Sequence, residues 1–435
     1  MRKSILLILT IPFTLLSSCS SPSSNGNNSA TLNPVHPESA GLNPGSLEML
    51  DNLFGEYIDK QAIASAEVII VRNGGIAYHK SFSPEGAVGG QDSIYRIMSM
   101  TKAITSVAAM QLYEQGKFLL DDALENYIPE FRNMQVLESL NKSDSTYTSR
   151  PARRKITIRD LLRHTSGLAY GFTSPEMQII YNKEGVVEAI ALDTEVRTLA
   201  DNMKVLGNVP LLHEPGTRYT YGVSTDVLGY LVEVVSGKRF DRYLDDHIFK
   251  PLDMDDSYFF VPAEKADRMA KVFANTREDP LVKMDEDSPM ARYHSMTDEL
   301  FFAGGAGLST TAKDYARFLQ MLLNGGEYNG NRIVGPKTID LMVTNQLARI
   351  NTPSEGGPDE REFAFGLGFE LGTDDSYRRK PGSYNRYSWG GALSTTYWWD
   401  TENDLAVVGM IQMLPFFHND MWEKIEVIIY GAMTE

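Results

Sequence analysis

A single cysteine, Cys19, stands in the 435-residue chain, so no internal disulfide can brace the fold. Histidine is scarce too, at seven, with no His-Glu-x-x-His or other close ligand spacing. A structural or catalytic metal therefore has no support in the sequence, and no cofactor is implied. Positive charge is in deficit: 41 Lys and Arg face 57 Asp and Glu, a formal net charge of -16. Such a chain repels phosphate backbones, which argues against a nucleic-acid partner. Long hydrophobic runs are missing beyond the N-terminus, and Ile5 to Leu16 is itself too short to span a bilayer. There is no Gly-x-Ser-x-Gly elbow, which argues against an α/β-hydrolase. Gly366-Leu367-Gly368 is no nucleotide loop, because no helix is expected after it. Internal repeats are absent.

What is present begins with a leader. Arg2 and Lys3 precede the apolar run, which ends in Leu16-Ser17-Ser18-Cys19. This resembles the lipobox of bacterial lipoproteins, whose signal is cut before a cysteine that is then lipidated. The resemblance implies a signal peptide over 1–18 and lipidation of Cys19. It also implies export to a bacterial membrane, on the periplasmic side or the cell surface. Acyl chains, at about 0.8 kcal/mol per buried CH2, would hold the protein there. The alternative is an ordinary signal peptide with an incidental cysteine. Ser20 to Ala30, rich in Ser, Asn and Gly, is expected to be a flexible tether within 19–36.

The folded part is expected from near Pro37, and 42% hydrophobic residues are ample for two packed lobes. Leu47 to Ile58 reads as an amphipathic helix. Ala66 to Val71 and Ile76 to His79 read as a strand pair turned at Asn73-Gly74-Gly75. Ser99 to Gln115 reads as a helix with Ala103, Ile104, Val107, Ala108 and Leu112 on one face. Helix and loop dominate from about 120 to 345, including helices over Thr225 to Val235 and Thr311 to Leu323. Lys142 to Lys155 reads as a surface loop. Strands are expected again at Gly366 to Leu371, Leu393 to Trp399 and Leu405 to Ile411, then a helix over Met421 to Met433. Strands at both ends and helices between predict an α/β plus all-α fold. One antiparallel sheet is built from both termini, about 37–118 and 346–435, with a helical lobe of about 119–345 inserted.

Ser99-Met100-Thr101-Lys102 carries the chemistry. At a helix start, residues i and i+3 share a face, so the spacing sets a lysine amine beside a serine hydroxyl. A serine needs a base to become a nucleophile, and a lysine desolvated in a cleft can serve or can polarise another base. The helix N-terminus favours the negative charge that develops there. A second S-x-x-K, Ser139-Leu140-Asn141-Lys142, is set aside because it runs from a polar segment into a loop.

Further phrases follow in order: Ile156-Thr157-Ile158-Arg159-Asp160-Leu161-Leu162-Arg163-His164-Thr165-Ser166-Gly167-Leu168, then Pro215-Gly216-Thr217-Arg218-Tyr219-Thr220-Tyr221, then Gly304-Gly305-Ala306-Gly307-Leu308-Ser309-Thr310-Thr311. With Ser99 to Lys102 this set resembles the beta-lactamase-related serine hydrolases: class C beta-lactamases, DD-peptidases and family VIII carboxylesterases. The resemblance runs from about 40 to 430. It implies that Tyr221 acts with Lys102 as general base and acid. The family's Tyr-x-Asn becomes Tyr221-Gly222-Val223, without the amide. The family's third motif, Lys-Thr-Gly or His-x-Gly, is best matched by Trp389-Gly390-Gly391-Ala392, in the Trp-Gly-Gly form of family VIII esterases. By that resemblance Trp389, Gly390 and Gly391 line the substrate, and the backbone N–H groups of Ala392 and Ser99 form the oxyanion hole. Lys380-Pro381-Gly382 is a poorer match, because its proline suits a turn. His164 is read as structural, holding a loop near the cleft.

The departures bear on substrate. A third-motif cation and a second-motif amide would hold a beta-lactam's carboxylate and side-chain amide, and here Trp389 and Val223 stand instead. The expectation is a carboxylesterase-like enzyme cleaving an uncharged ester, or an amide, through an acyl-Ser99 intermediate. The rival enzyme is a DD-peptidase or beta-lactamase acting on cell-wall peptides or antibiotics. The rival of another class is a non-catalytic penicillin-binding-like sensor. Whether Lys102 or Tyr221 is the base stays open, since coupled groups share the proton, as do the natural substrate and the oligomeric state.

Overall fold

Strands from both chain ends meet in one seven-stranded sheet. The computed structural model describes residues 32–84, 90–190, 198–276, 279, 281–293, 301–350, 363–418 and 420–434. Cys19, its leader and the Ser20 to Ala30 stretch of the tether lie outside the described residues. The N-terminal part supplies β1 (Asn33–Pro34), β2 (Ala66–Arg72) and β3 (Gly75–Phe82). The C-terminal part supplies β4 (Glu370–Leu371), β5 (Arg386–Gly390), β6 (Thr396–Asp400) and β7 (Leu405–Met410). Their order across the sheet is β1-β3-β2-β7-β6-β5-β4. The two chain ends join where β7 runs antiparallel to β2, with Val407 opposite Ile70 and Gly409 opposite Val68.

Alternation decides which layer each strand residue enters. Ile69, Val71, Tyr397, Trp399 and Val408 point into the large core shared with the helical residues. Val68, Ile70, Trp398 and Val407 point into a second core under α1 (Pro44–Asp59) and the C-terminal helix. A slip of one residue would exchange the two sets, so the register is strongly specified. In the large core lies α2 (Thr101–Glu114), buried at every position from Thr101 to Leu112. A helix enclosed on all sides loses its polar face, which explains the run of Ala, Ile, Val and Met there. Its buried Thr105 hydroxyl is satisfied by the Gly304 carbonyl at 2.7 Å.

Between the sheet halves come α3 (Ile158–Leu162), α4 (Ser224–Ser236) and α5 (Ala312–Leu323), and the chain closes with α6 (Asp420–Gly431). Thr157 and Asp160 form a reciprocal capping box at the start of α3. Thr311 caps α5 through the Asp314 N–H. Although α5 comes from the inserted stretch, it packs against β7 and β2.

The structure departs from expectation at several places. The sheet is mixed, because the short β1 runs parallel to β3. Leu32 is already buried, so ordered structure precedes Pro37. The surface loop expected over 142–155 contains a strand: Gln135–Asn141 and Thr146–Pro151 form an antiparallel hairpin. Leu140 faces Tyr147 across it, and both pack against the large core, a weak apolar signal that the surrounding charges obscure. The strand expected over Gly366 to Leu371 shrinks to Glu370–Leu371, because the Gly366 N–H turns back to the Phe369 carbonyl. Leu393 lies in a turn, and the strand begins only at Thr396.

The β2–β7 joint carries the sheet, and Ile70 is fully buried in it. Replacing Ile70 with Ala is expected to lower unfolding free energy by about 2–5 kcal/mol. Urea titration of the two proteins checks this; a change under half a kilocalorie would show that the joint tolerates the cavity.

Candidate active site

The serine is placed by the segment before α2. Tyr95 and Arg96 pair with Thr310 and Ser309, and the Ile97 N–H donates to the Leu308 carbonyl. Met98–Met100 then forms a tight 3-10 turn that runs into α2. Ser99 thus stands at the mouth of a buried helix, with Lys102 one turn on. Lys102 Nζ donates to Ser99 Oγ at 3.2 Å, as the spacing predicts. Tyr221, from the segment leading into α4, brings its hydroxyl to 2.6 Å from Ser99 Oγ. Lys102 Nζ also lies 4.6 Å from the centre of the Tyr221 ring. Lys102 and Tyr221, far apart in the chain, therefore converge on the Ser99 oxygen.

Two further partners of Lys102 escaped the sequence reading. Its ammonium donates to the Gly305 carbonyl at 2.6 Å and to the Tyr170 hydroxyl at 3.2 Å. Behind them lies Asp226, on the first turn of α4, whose Oδ1 accepts the Gly305 N–H at 2.9 Å. Burial raises the Asp226 carboxyl to about 6, with the Lys102 charge pulling the other way. Burial, and then Asp226, push the Tyr170 phenol well above its ordinary value, so it stays protonated. Gly305 is fitted closely here: a Cβ on it would sit 2.7 Å from the Tyr170 hydroxyl and 2.9 Å from Asp226 Oδ2.

Trp389 and Gly390 end β5, and the turn after them runs against the serine segment. A Cβ on Gly391 would fall 2.4 Å from the Ile97 carbonyl oxygen, so only glycine permits that approach. The Gly391 N–H is spent on the Thr395 carbonyl, which leaves Ala392, exposed at the tip, as the next donor along the turn. The Trp389 ring lies 5.4 Å from both Tyr221 and Phe365. Phe172, 73% exposed, stacks on Tyr170 at 5.0 Å. Val223 is fully buried, so the second-motif position offers the cleft no amide.

The competing motifs fall elsewhere. Ser139 lies on the exposed hairpin, bonded to Thr148 at 2.7 Å. Lys380 pairs with the buried Glu426 at 2.5 Å rather than with the serine. The adjacent Trp398 and Trp399 are core residues, while Phe417 is exposed. His164 is buried with its ring 5.1 Å from Tyr221 and 5.7 Å from Phe365. No cluster of three or more His, Cys, Asp or Glu side chains able to hold a metal occurs among the described residues.

The Beta-lactamase family matches residues 50–427. The chain belongs to the beta-lactamase family. Protein Rv1367c of Mycobacterium tuberculosis is 35% identical over 334 residues, covering 75% of this chain and 79% of that one. A lovastatin esterase of Penicillium rubens is 28% identical over 386 residues, covering 83% and 92%. Among solved structures, simvastatin synthase (LovD) of Aspergillus terreus superposes with a TM-score of 0.73 at 23% identity, covering 89% and 98%. This last likeness establishes the shared fold. The beta-lactamase-family chain is thus a hydrolase of that family, with esterase relatives.

Burial, and then the Lys102 charge, depress His164 to about 3. A depressed histidine stabilises the fold fully above the unfolded value near 6.5, and that contribution is lost as pH falls toward 3. The His164 ring resonances should therefore not titrate between pH 5 and 8 by NMR, as judged against a His164→Phe variant. A midpoint near 6.5 would refute the buried neutral ring.

Proposed function

We propose that the protein is a serine hydrolase that cleaves uncharged carboxylic esters through an acyl-Ser99 intermediate. One observation carries the reading: Ser99 Oγ lies within hydrogen-bond reach of both Tyr221 and Lys102. Ser99 Oγ attacks the ester carbonyl while its proton passes to the Tyr221–Lys102 pair. The carbonyl oxygen becomes an oxyanion held by the N–H groups of Ser99 and Ala392, in a pocket whose donors are already oriented. The C–O bond breaks, and the same pair returns the proton to the departing alkoxide. Water then attacks the acyl-serine, giving up a proton to the pair, and Ser99 regains its own as the acid leaves.

The cleft supports a neutral substrate. Trp389 stands where a third-motif cation would hold a carboxylate, and Val223 where an amide would hold a peptide-like side chain. Tyr170, Phe172, Tyr221, Phe365 and Trp389 give the nucleophile an aromatic surround. The lovastatin esterase among the relatives is in keeping with ester chemistry.

The test is hydrolysis of a p-nitrophenyl ester series by the protein starting after Cys19, beside a chromogenic cephalosporin. Ester turnover should vanish in Ser99→Ala and fall about 10²–10⁴-fold in Tyr221→Phe. Cephalosporin cleavage should be slight. Equal turnover by Ser99→Ala would refute the nucleophile, and preferential cephalosporin cleavage or penicillin labelling would favour the DD-peptidase or beta-lactamase alternative.

The order of charge, apolar run and Leu-Ser-Ser-Cys at the N-terminus supports export and lipidation at Cys19. Cells expressing the full chain should incorporate labelled palmitate into it, and Cys19→Ala should abolish the label. Label retained in Cys19→Ala would overturn the anchor.

A further inference from the structure

We infer that Asp226 is the buried counter-charge of Lys102, a positioning residue that holds the lysine in its ammonium form across Gly305. This rests on the reading of Ser99, Lys102 and Tyr221 as the reacting groups. Gly305 is gripped from both sides by opposite charges. Its N–H donates to Asp226 Oδ1 at 2.9 Å, and its carbonyl accepts from Lys102 Nζ at 2.6 Å. The lysine's three hydrogen bonds all go to uncharged oxygens, those of Ser99, Tyr170 and Gly305. Lys102 is buried, and its amine makes no direct ion pair among the described residues. Asp226 mirrors it: fully buried, and with Oδ2 lacking any hydrogen-bond partner among the described residues.

Each of these groups is costly alone. A buried ion without a compensating charge is disfavoured, and here each supplies what the other lacks. The two stand too far apart for a contact pair, so neither neutralises the other by proton transfer along a shared hydrogen bond. The carboxylate instead acts through space in a low-dielectric interior, where Coulomb interactions reach further than in water. Its second oxygen borders the small space beside the Tyr170 hydroxyl that a Cβ on Gly305 would occupy.

Other ionisable groups face the pair. Tyr170, Tyr221 and His164 lie toward Lys102. Tyr170, Glu188 and Tyr293 lie toward Asp226. His164 is held neutral, and Tyr170 and Tyr293 stay protonated. Glu188 is the other carboxyl, and it is already bonded to the Gly171 N–H at 2.6 Å. It therefore serves as the control.

The experiment is the pH dependence of kcat/KM on p-nitrophenyl butyrate for the wild type, Asp226→Asn, Asp226→Glu and Glu188→Gln. Removing a negative charge disfavours the more protonated form of the Lys102–Tyr221 pair, whichever member holds the proton. Asp226→Asn should therefore move the alkaline limb about one unit to lower pH. Asp226→Glu, with its charge retained, should return the limb toward the wild type, and Glu188→Gln should shift it less than Asp226→Asn. A uniform loss of rate in Asp226→Asn with the limb in place would overturn the proposal and leave Asp226 as a structural acceptor for Gly305. An equal or larger shift in Glu188→Gln would overturn it too. Asp226→Ser, smaller and also uncharged, is measured in parallel, so that a folding failure of Asn leaves the same comparison. Ser99→Ala reports separately on the underlying reading: if it retains full turnover that reading fails, whatever the Asp226 profile shows.

Discussion

Burying an ammonium group is the constraint around which this molecule is arranged. Lys102 projects from a helix that is enclosed on every side, where an unpartnered cation would cost several kilocalories per mole. Its three donors must each find an acceptor. These acceptors come from three separate parts of the chain: Ser99 in the tight turn before α2, Tyr170 in the loop after α3, and the Gly305 carbonyl before α5. The helical stretch therefore cannot drift relative to the sheet without stranding the charge. The satisfaction of one lysine and the assembly of the cleft are the same event.

The sheet makes that event possible. β2 and β7 bring the two chain ends together and give α2 a flat apolar floor of Ile69, Val71 and Val408. β5, three strands away from β2, then delivers Trp389 and the Gly391 turn to the serine segment. Glycine matters at this contact because the Gly391 backbone lies against the Ile97 carbonyl, two residues before Ser99. A side chain there would push the turn away from Ser99.

How much of this was legible follows from the distance over which each feature is encoded. Ser99 and Lys102 were readable from their spacing together with the apolar-faced helix that follows, which sets them apart from the identically spaced Ser139 and Lys142. Tyr221 required the ordered set of phrases, because nothing local ties it to a serine 122 residues earlier. The Gly305 carbonyl was invisible: a backbone acceptor has no residue signature, and its role depends on a loop meeting α2. Asp226 did leave a trace, an acid beside Val227, Leu228 and Leu231 on a helix face that is buried. Tyr170 left less, one aromatic among many. Trp389 and its glycines were found, but the strand Arg386–Gly390 that carries Trp389 was not read as one, and the next strand was started too early, at Leu393 instead of Thr396, because Leu393 to Thr395 has the look of a strand and the hydrogen bonding of a turn. The short β1 and the 135–151 hairpin were missed for a similar reason: pairing of two residues, or pairing on a charged surface, leaves little periodicity to read.

Trp389 ties the aromatic wall of the cleft to Tyr221. Its ring packs between Tyr221 and Phe365, and His164 closes the back of the same aromatic group. An apolar wall at this point withdraws any charged hold on a substrate carboxylate. It also packs against the ring of Tyr221, which stays partly exposed beside Ser99. A polar residue in place of Trp389 would gain polar contacts and lose the packing against Tyr221 and Phe365. The tryptophan trades in the other direction. Under the proposed ester chemistry it leaves recognition to shape and apolar contact, and the reaction to Lys102 and Tyr221 held within hydrogen-bond reach of Ser99.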